Sequence, residues 1–324
     1  PHGRQYGPDP ATRSVTTMGG VLAVNASGSH YLRSGSPRDT ALSLEVVTGS
    51  GELLELSSHS PLEQSPAGRL ARGVWGIFHL HREVIAADIA KRGASNGLRL
   101  DGAIEPYDLL FETQPSPQTV VHLARLLTGT QGTFGLITDA TLQTEKVPAH
   151  RGVALLFFHR LDAAARGAVA AVRHGVVACD LMDRRLLEIA RDTEWAFAKL
   201  LPREAEAMIL VEVQGDSISD LRGRLAKLEE DLCQHQKLAF ASTTTMERQQ
   251  RDLFWALSRR VIPRLYRVRG DHSPVPLIED VWVPPESLPG ALTAIQDVLQ
   301  KFQVTATIFA HAGHGQLHIR PFLD

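Results

Sequence analysis

Two histidines near the end of the sequence have the spacing of a site. In "TIFAHAGHGQLHIR" (307–320), His311 and His318 lie seven residues apart, across a turn that contains Gly313 and Gly315. So short a turn predicts two adjacent strands with both imidazoles on one side. Such a pair is either two ligands of one metal ion or two partly buried, hydrogen-bonded side chains. Upstream, "LIEDVWV" (277–283) carries Glu279 and Asp280 side by side. Alternation along a strand sends neighbours to opposite faces. That argues against paired-carboxylate acid/base chemistry and leaves either residue as a partner for the histidines.

A second kind of chemistry is suggested by two glycine-rich stretches. The first is "TTMGGVLAVNASGS" (16–29) and the second "TGTQGTFGLITDATLQT" (128–144). Glycine is costly to order, so a dense run marks positive φ or a close approach to the main chain. The first stretch is either a wall for a ligand lying against backbone or two ordinary turns around a short strand, "VLAV". Gly35 and Gly49 read as turn formers.

The elements that must position these residues follow from periodicity. "ALSLEVVTGSGELLEL" (41–56) alternates on both sides of Gly49-Ser50-Gly51 and reads as a hairpin. Residues 67–92 carry apolar positions at helical spacing. From "GVALLFFH" (152–159) onward, strands and amphipathic helices alternate with short loops, through 207–213, 217–236, 247–261, 277–283 and 286–302 to the histidine hairpin. This pattern predicts α+β architecture with a mainly antiparallel sheet and helices on one face. A change of texture past Pro148 places a boundary there, giving domains 1–148 and 149–324.

Composition narrows the class. A length of 324 residues suits about two domains at roughly 100–200 residues each. The net charge of −2 gives no bulk electrostatic case for nucleic acid or an acidic membrane. The locally basic "RRVIPRLYRVRG" (259–270) reads as a solvated edge with buried apolar teeth. Cys179 and Cys233 have neither metal-like spacing nor a disulfide framework, which fits a reducing, cytoplasmic setting, possible peripheral membrane association being left open. No apolar run approaches the ~18 residues of a membrane span. The chain opens in "PHGRQYGPDP" and closes in "HIRPFLD", and reads as an internal piece of a longer protein.

Taken in order, "TTMGGVLAVNASG", "LLTGTQGTFGLITDATL" and "TIFAHAGHGQLHIR" resemble the FAD-linked oxidases of the vanillyl-alcohol oxidase and p-cresol methylhydroxylase superfamily. The likeness is greatest to the D-lactate dehydrogenase, glycolate oxidase and D-2-hydroxyglutarate dehydrogenase branch. "YGPDPAT", "LRSGSPRD" and the 41–56 hairpin fit the same pattern. The insert with "LARGVWGIFHLHREVI" and "NGLRLDG" resembles the large forms fused to an iron–sulfur segment, which would lie beyond residue 324. The resemblance implies the second half of a p-cresol-methylhydroxylase-type FAD-binding domain, followed by a ferredoxin-like antiparallel cap domain. It implies FAD contacts at Met18, Gly19, Gly20, Asn25, Ser27 and Gly28, and at Gly132, Thr133, Gly135 and Ile137.

It implies further that a 2-hydroxy acid passes a hydride to flavin, and that electrons continue to a quinone, an iron–sulfur segment or another carrier. His311 and His318 stand where the family binds a divalent metal such as zinc. Its third ligand is expected beyond Asp324. Gln316 and Arg259 stand near the substrate side. Departures also matter. His314 and Gln316 replace a usual Asp and Asn, and Trp255 is followed three residues later by Ser258 rather than Arg. These departures leave open a flavin-free, non-catalytic subunit of the same fold, or a flavoenzyme of the superfamily with another alcohol or ether-lipid substrate. With the first half of the flavin domain missing, the isolated chain is expected to be colourless and inactive.

Overall fold

A computed structural model describes residues 2–60, 62, 64–91, 100, 101, 103–105, 114, 115, 119–267 and 272–324. Most of "NGLRLDG" and the end of "RRVIPRLYRVRG" lie outside the described residues. The chain divides into two compact units. One comprises Pro1–Gly28 and Ser34–Lys146, the other Ser29–Arg33 and Val147–Asp324.

In the first unit, "VLAV" is helical rather than extended. Helix α1 spans Met18–Val24. The Thr17 hydroxyl caps it by accepting the Gly20 N–H at 3.1 Å, and Asn25 closes it in the left-handed region with φ 55°. Both ends thus carry cap signals that outweigh the β-propensity of two valines. The predicted hairpin is present as β1 (Ala41–Val47) and β2 (Leu53–Ser57), and β3 (Leu136–Leu142) adds to β1. Two helices, α2 (Pro66–Leu80) and α3 (Arg82–Lys91), follow β2. Leu22, Leu44, Leu56, Trp75, Phe78 and Val121 share the core of this unit. The Gly129 N–H donates to the Leu22 carbonyl at 2.9 Å and the Gln131 N–H to that of Ala23 at 2.8 Å. Two glycine-rich stretches a hundred residues apart in sequence therefore become neighbours.

The second unit is built on an eight-stranded sheet. Its first four strands are β4 (His150–Phe158), β5 (Ala178–Asp183), β6 (Ala207–Gly215) and β7 (Ala241–Thr245). Helix α4 (Leu161–Arg173) joins β4 to β5, α5 (Arg184–Thr193) and α6 (Trp195–Leu200) precede β6, and α7 (Ile218–Glu229) precedes β7. Then come α8 (Arg248–Leu265), β8 (Ile278–Trp282), α9 (Leu288–Lys301), β9 (Ala306–His311) and β10 (Gln316–Leu323). The order is β7-β4-β6-β5-β9-β10, with β8 and Ser273–Pro274 also on β10. All pairs are antiparallel. The first four strands have the ferredoxin-like arrangement expected from the resemblance.

Helices cover both faces of this sheet rather than one. Ala154, Leu156 and Phe158 face α4, α7 and α9, while Val153, Leu155 and Phe157 face α5, α6 and α8. The cause is visible in "GVALLFF" and "AMILV", which are apolar on both sides of the strand instead of alternating.

The β9–β10 turn depends on Gly315. Its φ is +82°, and a Cβ there would fall well inside van der Waals contact with the Val283 carbonyl. Gly315→Ala should destabilise this unit by roughly 2 kcal/mol or more. Gly49→Ala, where nothing lies within 4 Å of the added carbon, should be near neutral. Urea denaturation of both variants checks this, and equal midpoints would contradict it.

Candidate functional site

The β9–β10 hairpin sets the geometry. Register pairs His311 with Gln316 and Phe309 with His318, so His311, Gln316 and His318 share one face. The His311 and His318 rings meet edge to face with centroids 5.4 Å apart, and Phe309 forms an apolar floor 5.1 Å from His311 and 5.9 Å from His318.

Each imidazole is held by a carboxylate. The His311 Nδ1–H donates to Asp180 Oδ1 at 2.8 Å, and the His318 Nδ1–H donates to Glu279 Oε2 at 2.6 Å. Asp180 is fully buried on β5. Its other oxygen accepts the hydroxyls of Ser29 at 2.6 Å and Ser258 at 3.1 Å. Burial alone would raise this carboxyl. The charge and hydrogen bond of His311, with the two hydroxyls, outweigh it and hold Asp180 below the ordinary range. A carboxylate at Nδ1 fixes the ring orientation and keeps a proton on Nδ1.

Glu279 and Asp280 do not face opposite sides. The β8–β10 register shifts between Ile278 and Val281, and Asp280 takes φ 56°. This bulge re-aims one side chain, the usual effect of an extra residue in a strand. Glu279 then binds His318 and pairs with Arg320 at 2.8 Å, while Asp280 accepts the Gln316 amide at 2.7 Å and lies 3.7 Å from His318 Nδ1. The His314 Nε2–H donates to Gln316 Oε1 at 3.1 Å. The His314 ring stacks between Tyr31, 4.4 Å away, and His311, 5.6 Å away.

Of the substrate-side candidates, His311, His318 and Gln316 converge. Arg259 lies over the Trp255 ring at 5.7 Å, and the residue that α8 delivers to Asp180 is Ser258. Sequence reasoning passed over Asp180, Ser29, Tyr31 and the neighbouring Glu212, and met Ser258 only as a departure from the family's usual Arg. Buried Glu212 takes Arg151 through two hydrogen bonds of 2.9 and 2.7 Å, the Trp255 indole N–H at 2.9 Å and His30 at 3.4 Å. The available signal was an acidic residue inside an otherwise apolar strand, in "ACDLM" and "LVEV". Cys179 is free and buried, and burial pushes its thiol far up, away from reactivity. Among the described residues, no group of three His, Cys, Asp or Glu converges as a metal site.

The glycine-rich wall of the first unit divides into structural and open positions. At Gly28, φ is +89° and a Cβ would strike the Asp9 main chain, whereas Gly135 packs against Val46. At Gly19 and Gly132 nothing lies within 4 Å of an added Cβ, and Gly132 has φ +80°. Met18 is half exposed and opens α1, and Gly20 serves its cap. Thr133 bonds the Thr130 carbonyl at 2.7 Å, and Ile137 pairs with Val46 in the sheet. Asn25 Nδ2 and Ser27 Oγ are buried and have no hydrogen-bond partner among the described residues. Orphaned groups of this kind cost about 1–3 kcal/mol each.

Burial, with His311 alongside, pushes His314 down to about 3. Because the unfolded value is about 6.5, the unfolded chain binds the extra proton first. Stability is therefore full above about pH 6.5 and is lost as pH falls from there toward 3. His314→Gln should flatten that part of the stability profile, measured by denaturation at a series of pH values. An unchanged slope would contradict a neutral His314.

Residues 147–324 match the family of FAD linked oxidases, C-terminal domain, and residues 1–57 match an FAD binding domain. The D-2-hydroxyglutarate dehydrogenase of Escherichia coli K12 is 26% identical over 343 residues, covering 100% of this chain and 33% of the relative. Glycolate oxidase subunit GlcD of Bacillus subtilis 168 is 25% identical, covering 97% of this chain and 53% of that protein. The mitochondrial D-lactate dehydrogenase [cytochrome] of Arabidopsis thaliana is 24% identical over 93% of this chain and 42% of its own. The chain thus spans about a third to a half of these curated relatives. A solved structure of alkyldihydroxyacetonephosphate synthase shares the fold, with TM-score 0.59 and 15% identity, over 99% of this chain and 53% of that one. The matched family model spans more than half of the sequence, and the chain belongs to the FAD-linked oxidases.

Proposed function

We propose that this chain is part of an FAD-dependent dehydrogenase or oxidase of 2-hydroxy acids, of the size range of D-2-hydroxyglutarate, glycolate or D-lactate. The observation that carries the reading is the carboxylate-held pair His311 and His318 on one strand face. The names of the relatives supply the substrate class.

FAD, when bound, supplies the hydride acceptor. The residues fit such a group. Asn25 Nδ2 and Ser27 Oγ are donors lacking partners among the described residues, and Gly19 and Gly132 leave main chain open beside them. Exposed backbone N–H groups and small donors suit a diphosphate. We assign the units accordingly, the first to flavin and the second to substrate. The Nε2 atoms of His311 and His318 are proposed as the groups of which one takes the hydroxyl proton as the α-carbon gives up its hydride. The same two atoms could hold a divalent ion that polarises the hydroxyl. A third ligand would have to come from outside the described residues, since two imidazoles fall short of a three-ligand catalytic site. Arg259, beside the cluster-facing Ser258 on α8, is the cation proposed for the substrate carboxylate. Gln316, fixed by Asp280 and His314, sets the shape of the substrate side. Electrons would leave to a quinone or an iron–sulfur carrier.

The test is made on the protein at its natural length. It should be yellow and should reduce an artificial electron acceptor with a D-2-hydroxy acid. Absence of both flavin absorbance and dye reduction would sink the reading. His318→Ala should lower kcat by on the order of 10²–10⁴-fold. Asp180→Asn should cost roughly 10–100-fold and move the acid limb of the pH–rate profile to lower pH, because a neutral partner leaves His311 less basic. An unshifted limb would remove Asp180 from the account.

A further inference from the structure

Helices α2 and α3 behave as one amphipathic rod with a second apolar face. Helical hydrogen bonds run on through the junction, from the His81 N–H to the Ile77 carbonyl and from the Ile85 N–H to the His81 carbonyl, both 3.0 Å. Gly68, Ala71, Trp75, Phe78 and Ile85 form the inner face and are buried. The opposite face is apolar too. Leu70, Ile77, Leu80 and Val84 are 41%, 60%, 72% and 72% exposed. A helix that is apolar on both sides ordinarily has a partner on both.

The outer stripe has coiled-coil spacing. Leu70, Ile77 and Val84 recur every seven residues, as do Gly73, Leu80 and Ala87. Two glycines, Gly73 and Gly76, sit in the helix interior, where each costs about 1 kcal/mol relative to alanine. Nothing lies within 4 Å of an added Cβ at either one, so packing among the described residues does not account for them. Close approach of another helix would.

We propose that this face is the interface between two copies of the chain, paired as antiparallel helices about a twofold axis. The sequence is complementary to itself in that register. Ile77 falls opposite Leu80 of the second copy, Gly73 opposite Val84, and Leu70 opposite Ala87. The last two pairings set a large side chain on a small one. A shallow hollow lined by Glu83, Val84, Ala87 and Asp88 receives Leu70. Arg72 and Glu83 lie on the same flank at opposite ends of the stripe, so the antiparallel arrangement brings unlike charges together across the axis. Such isologous contacts close as a dimer without open-ended growth.

Sedimentation velocity of the protein at its natural length, at micromolar concentration, tests this. The wild-type chain should be a dimer. Ile77→Glu with Leu80→Glu should give a monomer with unchanged circular dichroism, because neither side chain is in the core. Arg72→Glu should weaken the dimer and the charge swap Arg72→Glu with Glu83→Arg should restore it. A monomeric wild-type chain, as when another segment or a different partner covers the stripe, overturns the proposal. So does a dimer that survives the double glutamate variant.

Discussion

One buried carboxylate organises the second unit. Asp180 sits inside the sheet with no exposed surface, yet it stays ionised because three donors converge on it: His311 from β9, Ser258 from α8, and Ser29 from the end of the first glycine-rich stretch. A buried charge with unmet valence costs several kcal/mol. The three partners must therefore arrive together, which fixes elements 151 residues apart in sequence. Glu212 repeats the device one strand away, holding His30, Arg151 and Trp255. Residues 29–33 belong to the second unit through these two acids, although the chain on either side of them belongs to the first.

From that anchor the polar cluster extends along the sheet to its edge. His311 is oriented by Asp180, His318 by Glu279, and Gln316 by Asp280 and His314. The bulge in β8 is what lets two adjacent acids serve one face. His314 is kept neutral by its burial, so it adds a hydrogen bond and a stacking surface without adding charge beside His311. The result is two imidazoles on one strand face whose Nδ1 atoms are both committed to carboxylates.

Much of this was legible in the sequence because it is local. Alternation in "ALSLEVV" and the Gly-x-Gly turn between the histidines gave strands and a shared face. What escaped is long-range or depends on a break in a rule. No short-range pattern pairs Ser29 with Asp180. Strict alternation misplaced Asp280, because a left-handed residue in a strand has no signature when the residue is not glycine. The valines of "VLAV" suggested a strand, while the cap residues Thr17 and Asn25, read for their capping chemistry, favour a helix. Apolar runs on both sides of β4 and β6 could have announced helices on both faces of the sheet.

The central claim is that Asp180 and Glu279 lock their histidines with the proton on Nδ1. Long-range ¹H–¹⁵N correlation spectra of the imidazoles measure this directly. The account predicts that Nδ1 carries a proton in both His311 and His318, and that Asp180→Asn disturbs the state of His311 while leaving that of His318 intact. A neutral His311 protonated on Nε2 alone, or a state indifferent to Asp180→Asn, would contradict it.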